Sequence, residues 1–202
     1  NHRQQWDENF GSTFTDATRQ ANRWNLFKNW VVDAEGNLDY TAMQTQPVVY
    51  YLSENFPPEL MPGALDLQAQ WNTLFTKMVR ILKGDENFNE PMYVLCENNN
   101  ADLQLRLAKD PSSLVAETDP AICGDMDAVK YLGDLRYPQL NSINEPTQVG
   151  LYGYGPSATD PLTGQTIHAN ANMYTANIRL GAWTAVDMIE YEAGVQNFRD
   201  VT

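Results

Sequence analysis

The segment 151–174 constrains the fold more than any other part of the chain, because it joins turn residues to an alternating strand pattern. Asp160 can cap a turn with its side chain, Pro161 fixes a φ angle suited to the turn, and Gly164 accepts the left-handed conformation of a turn-plus-bulge hairpin. The following residues alternate between a polar face and an apolar face: Thr166, His168, Asn170 and Asn172 against Ile167, Ala169, Ala171 and Met173. The pattern predicts a β-hairpin, a strand and then a helix.

Composition and charge limit the class of protein. The 202 residues suit one domain, and a hydrophobic content of 43% is enough for a buried core. A formal net charge of -13 argues against nucleic acid or an anionic membrane surface as the main partner. No apolar run approaches the length of a membrane span, and no signal peptide is recognisable.

Two segments have the periodicity of amphipathic helices. In the first, apolar residues recur every three or four positions before the stop signal Gly84: Leu67, Trp71, Leu74, Phe75, Met78, Ile81 and Leu82. The second has Asn177 as a candidate cap and Gly194 as its end, with a repeat of Ile178, Ala182, Val186 and Ile189. We therefore expect two main helices.

Short apolar runs bounded by turn residues predict the strands: 48–52, 92–95, 134–140 and 149–154, in addition to the strand after the hairpin. The dipeptide Tyr137-Pro138 limits the third of these to an edge or a strand end. Together with the helices, these segments predict an α+β fold, a twisted mixed β-sheet of about five strands with two main flanking helices.

The pattern Gly-Pro-Ser-x-x-Asp-Pro-x-Thr-Gly at 155–164 resembles a secreted bacterial group of metzincin-like zinc metallopeptidases, in which it lies upstream of the zinc-binding helix. The resemblance extends to 47–83, 91–97 and 134–141, which look like strands and the first long helix of that group. It implies the upper half of a metzincin-like catalytic domain over 47–202, preceded by an aromatic-rich N-terminal extension over 1–46.

The zinc-binding motif of that family is missing. The chain contains no His-Glu-x-x-His-x-x-Gly-x-x-His, and its histidines are His2 and His168. The resemblance therefore implies the N-terminal part of a secreted zinc-dependent metallopeptidase that hydrolyses peptides, without catalytic or metal-ligating residues in this chain. Zinc is expected only if a downstream part is present. The alternative is a noncatalytic extracellular structural or interaction module that assembles with other chains.

The resemblance also implies a substrate site. In metzincin-like enzymes an edge strand over the catalytic cleft binds peptides by strand addition, through backbone groups. The residues at the corresponding place here are Val149, Gly150, Leu151, Tyr152, Gly153 and Tyr154. The alternative is an ordinary hairpin that closes the sheet.

The chain has two cysteines, Cys96 and Cys123. Two reduced buried thiols and one disulfide both fit the sequence. The family resemblance implies export to an extracellular, periplasmic or cell-surface location, and on that ground we expect the disulfide.

Three further groups invite interpretation. His168 is expected to be a hydrogen-bonded histidine on a strand face or at the surface, because ligand partners for a metal are missing around it. A cluster of acidic and amide residues could bind calcium, with a solvated loop as the alternative. Its members are Glu97, Asn98, Asn99, Asn100 and Asp102, with Asp119, Asp125 and Asp127 further on. Five aromatic residues near the N-terminus are expected either against another polypeptide, a missing downstream part or further copies of this chain, or against the chain's own sheet: Trp6, Phe10, Phe14, Trp24 and Trp30.

Overall fold

The structure is a computed structural model and describes residues 4–9, 11–14, 20–54, 56–98, 109, 116–125, 128–148 and 150–195. Its strands are β1 Gln4–Asp7, β2 Gly11–Phe14, β3 Val48–Leu52, β4 Tyr93–Cys96, β5 Gln139–Ile143, β6 Gly153–Tyr154, β7 Ser157–Thr159, β8 Thr166–Ala169 and β9 Ala171–Tyr174. The helices are α1 Met61–Lys83, α2 Pro120–Cys123 and α3 Thr175–Glu192, and a 3-10 turn at Pro58–Leu60 precedes α1.

A five-stranded mixed sheet organises the domain. The strand order is β4-β3-β5-β9-β6; the first four strands run parallel, and β6 runs antiparallel to β9. The pairs β1–β2 and β7–β8 form separate antiparallel sheets. The predicted α+β fold with a mixed five-stranded sheet and helices is confirmed.

The main core lies between α1 and one face of the sheet. Leu52, Val79 and Leu95 are fully buried there. Side chains upstream of residue 47 join the same core: Leu26, Phe27 and Met43. The division of the chain into 1–46 and 47–202 stays a prediction, because it concerns independent folding rather than contact.

The N-terminal aromatic residues do not share one environment. Trp24 is half-buried and packs edge-on against Tyr50 of β3, with ring centroids 5.9 Å apart. It therefore packs on the chain's own sheet. Trp6 and Trp30 are exposed. Phe10 and the side chain of Phe14 lie outside the described residues.

Helix α1 forms where it was predicted and ends at Gly84, whose φ is 64°, but its buried face differs from the prediction. Ala64, Phe75 and Val79 face the core, whereas Ile81 of the predicted apolar face is 71% exposed. The reason is that Gln68 and Asn72 turn toward β4 and hydrogen-bond its backbone.

The disulfide lies on the other face of the sheet. Cys96 and Cys123 are bonded, with their Cα atoms 5.8 Å apart, and they pack against Tyr51 and Val94. The Tyr51 hydroxyl donates a hydrogen bond of 3.0 Å to the carbonyl of Cys123. The expected disulfide is confirmed, and it fastens α2 to the end of β4.

The predicted hairpin is also confirmed, as β7–β8. The Gly164 amide donates to the Asp160 carbonyl at 2.8 Å, and φ at Gly164 is 75°. The Asp160 carboxylate accepts hydrogen bonds from the Leu162 amide and the Thr163 hydroxyl, which hold the pKa of Asp160 below its usual value. The tip of the hairpin rests on Arg23, whose amide donates to the Gly164 carbonyl.

Strand β5 is shorter at its start than predicted. Residues 131–137 form two successive turns, with the Asp134 amide bonded to the Tyr131 carbonyl and the Tyr137 amide bonded to the Asp134 carbonyl, both at 3.1 Å. Arg136 returns to the Asp134 carboxylate, which stabilises the second turn. Pro138 therefore marks the start of β5, not its middle.

Alkaline unfolding tests the packing of the buried tyrosines. Burial raises the pKa of Tyr50 to about 12 and also raises the pKa of Tyr93. Since the folded chain then holds protons that the unfolded chain releases, stability is intact below pH 10 and is lost as the pH rises toward about 12. We expect Tyr50 alone to contribute roughly 2–3 kcal/mol to the fall in the free energy of unfolding in urea across this window, and Tyr93 to add to it.

The matched variants for this experiment are Tyr50→Phe and Tyr152→Phe, since Tyr152 is exposed. Tyr50→Phe should flatten the fall with pH, and Tyr152→Phe should leave it unchanged. If stability falls just as steeply with pH in Tyr50→Phe, burial does not raise the pKa of Tyr50.

Candidate functional site

The two edges of the five-stranded sheet differ. At one edge, β6 pairs with β9 alone, and no other described strand pairs with its outer side. Both β6 residues and the residues on either side of them, 150–155, are exposed. An exposed strand edge of this kind is a template for pairing with another extended segment.

The pairing register shows which backbone groups point outward. The Tyr174 amide donates to the Tyr152 carbonyl at 3.1 Å, so these residues form a hydrogen-bonded pair. In antiparallel strands such pairs alternate with pairs that exchange no hydrogen bonds. Gly153, opposite Met173, is therefore in a non-bonded pair. Its amide and carbonyl point away from β9, toward the open edge.

The opposite edge, formed by β4, is closed by side chains and by a second segment. Asn72 of α1 accepts hydrogen bonds from the Met92 and Tyr93 amides, at 2.7 and 3.2 Å. Gln68 accepts one from the Leu95 amide at 2.7 Å, and the Leu95 carbonyl accepts one from the Glu117 amide at 2.9 Å. The Tyr93 and Leu95 amides and the Leu95 carbonyl, three of the groups that β4 would offer to a further strand, are thus already bonded.

The sequence interpretation missed this role of α1. Gln68 and Asn72 are one helical turn apart, between the buried Ala64 and the buried Phe75 and Thr76. Amide side chains within an otherwise apolar helix face are the signal that could have indicated it, because buried amides need hydrogen-bond partners.

Asn177 in the first turn of α3 fixes the segment that leads into β6. Its side chain donates to the Thr147 hydroxyl at 2.6 Å and to the Leu151 carbonyl at 2.9 Å, and it accepts from the Thr147 amide at 3.3 Å. The prediction that Asn177 caps α3 is wrong, because the helix begins at Thr175 and its cap position, Tyr174, has no side-chain cap. The amide instead holds Thr147 and Leu151 against the helix.

Tyr152 packs over Gly181 of α3. A Cβ atom at Gly181 would lie 2.9 Å from the Tyr152 hydroxyl oxygen, so the absence of a side chain makes room for the ring. The adjoining cavity, of about 400 Å³, lies between α3 and the residues that lead into β6, and it is lined by Tyr152, Leu180 and Met188 among others. An apolar side chain next to the edge strand would fit this cavity.

The predicted substrate-binding residues occupy different positions around this edge. Gly153 and Tyr154 form β6, Leu151 and Tyr152 precede it, and Gly150 lies in the loop with a φ of 66°. Val149 lies outside the described residues. The strand is therefore two residues long rather than six, because Asn177 draws the Leu151 carbonyl toward α3.

His168 lies on β8 and is only 6% exposed. The alternation predicted over 166–173 is present only in β8, with the opposite face inward: Thr166 and His168 are buried and Ile167 is 60% exposed, whereas 169–173 are all half-buried. Of the two predicted positions for His168, the strand face is confirmed and the surface is wrong. Its Nδ1 atom is buried, and no group in the described part of the chain hydrogen-bonds to it.

The donor set does not fit zinc. Among the described residues, no three His, Cys, Asp or Glu side chains lie close enough together to hold a metal ion. Both cysteines are engaged in the disulfide. No catalytic step can be derived through zinc from these side chains. Of the predicted acidic and amide cluster, Asn99, Asn100, Asp102 and Asp127 lie outside the described residues.

Comparisons of the chain with family models, with curated proteins and with solved structures found no match. The metzincin-like resemblance consequently rests on the residues of 155–164 and on the pattern of strands and helices. In the part of the chain that the structure describes, no helix is long and apolar enough to cross a membrane.

Proposed function

We propose that this chain is the substrate-binding part of a secreted zinc-dependent metallopeptidase, and that it binds an extended peptide along β6. The observation that carries the proposal is the open antiparallel edge at Gly153, on a sheet whose opposite edge is closed by Gln68, Asn72 and Glu117. A sheet with one closed and one open edge directs strand addition to a single place.

The chain's own residues bind and orient the peptide. The Gly153 amide and carbonyl form the backbone hydrogen bonds, and the cavity beside Tyr152 accepts one apolar side chain. Asn177 keeps the approach to β6 rigid, which lowers the entropy lost on binding. In the complete enzyme, zinc and its general base would supply the hydrolytic chemistry from sequence outside this chain.

Strand addition predicts binding that depends on one backbone amide. The acetylated peptide Thr-Val-Thr-Val-Thr-Val should bind the wild-type chain, as measured by fluorescence anisotropy of a labelled copy. Gly153→Pro removes the outward amide and should weaken binding roughly tenfold, the effect of about one lost hydrogen bond. Gly153→Ala keeps the amide, and its Cβ would lie 3.5 Å from the Asn172 carbonyl oxygen, an ordinary contact.

The peptide supplies a second control. In an extended peptide, successive amides point to opposite edges, so N-methylation of every second residue blocks the donors of one edge only. Two such peptides can be made, methylated at the odd or at the even positions. One of them should no longer bind, and the other should bind as the unmodified peptide does. Equal affinity for both methylated peptides, or equal affinity of the Gly153→Pro and Gly153→Ala chains, would contradict strand addition at β6.

Helix α3 favours a second candidate function, a noncatalytic extracellular module that assembles with another polypeptide. Large apolar side chains are exposed around much of its circumference: Ile178, Leu180, Trp183, Val186, Met188 and Ile189. A helix that is apolar on most sides is usually buried. This function needs no peptide at β6, so the experiment with Gly153→Pro distinguishes it from the first.

A further inference from the structure

A second cavity, of about 510 Å³, lies at the carboxyl ends of β3 and β5. Ser53 and Glu54, directly after β3, contribute to its lining, and Glu145, two residues after β5, does the same. Asn141 of β5 and Lys130 line it as well. None of these residues belongs to the edge described at β6.

The topology singles out this position. The chain leaves β3 for β4 on one side of it and then returns to β5 on the other side, and all three strands run parallel. In open parallel sheets, ligands bind outside the carboxyl ends of the strands at such a reversal of strand order. The cavity therefore lies where a sheet of this kind has room for a ligand.

Asn141 supplies an independent observation that points to a ligand. The residue is 2% exposed, and its amide nitrogen donates to the Asn172 side-chain oxygen at 2.8 Å. The Asn141 side-chain oxygen is buried and has no hydrogen-bond partner among the residues that the structure describes. Buried acceptors are nearly always paired, so this oxygen needs a donor that the described residues do not provide.

The charges around the cavity decide the kind of donor. Glu54 and Glu145 are exposed carboxylates of its lining. Lys130 adds one positive charge to the lining, against the two negative charges, and its ammonium group donates to the Asp125 carbonyl and lies 5.4 Å from the centroid of the Tyr51 ring. A cation that carries N–H donors suits such a lining, because an N–H group can donate to the amide oxygen and the positive charge is attracted by the carboxylates.

We propose that this cavity binds an organic ammonium group, with Asn141 accepting one of its N–H donors and Glu54 and Glu145 balancing its charge. A bare metal ion fits less well, since the described residues include no metal-binding cluster. The ammonium can come from a lysine side chain or from a free peptide N-terminus, which share this chemistry.

The test uses the full chain and two small probes in isothermal titration calorimetry. Nα-acetyl-lysinamide carries only a side-chain ammonium, and alaninamide carries only an α-ammonium, so their relative affinities identify the source. Asn141→Leu, which removes the acceptor, should weaken binding of the preferred probe roughly tenfold. Glu145→Gln, at an exposed position, should weaken it roughly fivefold, and Glu86→Gln on a distant turn should leave it unchanged.

Glu145→Gln keeps the proposal testable if Asn141→Leu fails to fold. The side-chain amide resonance of Asn141 in NMR should also shift on addition of the preferred probe. Three results would each overturn the proposal. The first is that neither probe gives heat or a resonance shift, the second is that Glu145→Gln leaves the affinity unchanged, and the third is that calcium chloride displaces the amine. None of these measurements involves β6, so the proposal can fail while peptide binding stands.

Discussion

Replacing Cys96 and Cys123 together with alanine should lower the free energy of unfolding by about 3–4 kcal/mol. The disulfide closes a loop with a sequence separation of 27 residues. In the chain-entropy model, cross-linking a loop of that length lowers the entropy of the unfolded chain, and the lost entropy corresponds to about 3–4 kcal/mol of stability. Urea unfolding of the oxidised wild type and of the double variant measures the difference.

The chain contains no other cysteine, so reduction provides a clean control. Wild-type protein in dithiothreitol should lose nearly the same stability, and dithiothreitol should leave the double alanine variant unchanged. A loss well under about 1 kcal/mol in both comparisons would mean that packing, rather than the disulfide, holds α2 against β4.

Substitution of Gly164 by alanine is the second change with a large expected effect, about 3 kcal/mol of destabilisation. Gly164 has a φ of 75°, which already disfavours a side chain. An added Cβ would also clash with the Ala21 carbonyl oxygen, a backbone atom that cannot move away without lifting the hairpin.

Gly84→Ala is the matched control, since Gly84 has a similar φ of 64° and no atom lies within 4 Å of its added Cβ. This variant should cost about 1 kcal/mol, the conformational penalty alone. Thermal or urea unfolding compares the two. Equal losses in the two variants would show that the hairpin tip does not rest on residues 20–23.

Local chemistry made the hairpin and the long helices predictable. Asp160, Pro161 and Gly164 determine their turn within five residues, and Gly84 and Gly194 end their helices through conformations that glycine adopts easily. The disulfide was expected from the resemblance, not from spacing, because the distance between Cys96 and Cys123 depends on how the sheet folds.

Other features depend on tertiary contacts and could not be predicted from periodicity. The buried face of α1 differs from the predicted one because Gln68 and Asn72 accept hydrogen bonds from backbone amides at β4. Hydrophobicity alone predicts that Ile81 is buried, whereas it is exposed. The burial of His168 and the use of Asn177 as a loop anchor follow from which elements pack together, which the local sequence does not encode. The closed edge and the free oxygen of Asn141 likewise emerge only from the assembled sheet.

Amide hydrogen exchange measured by NMR tests most directly whether β6 is open to an added strand at Gly153. In the free chain, the Gly153 amide should exchange quickly and the Tyr154 amide slowly, because Tyr154 lies in the next hydrogen-bonded pair with β9. Addition of the acetylated Thr-Val-Thr-Val-Thr-Val peptide should slow exchange at Gly153. A saturating peptide that leaves Gly153 unprotected, or that protects β4 instead, would contradict the account.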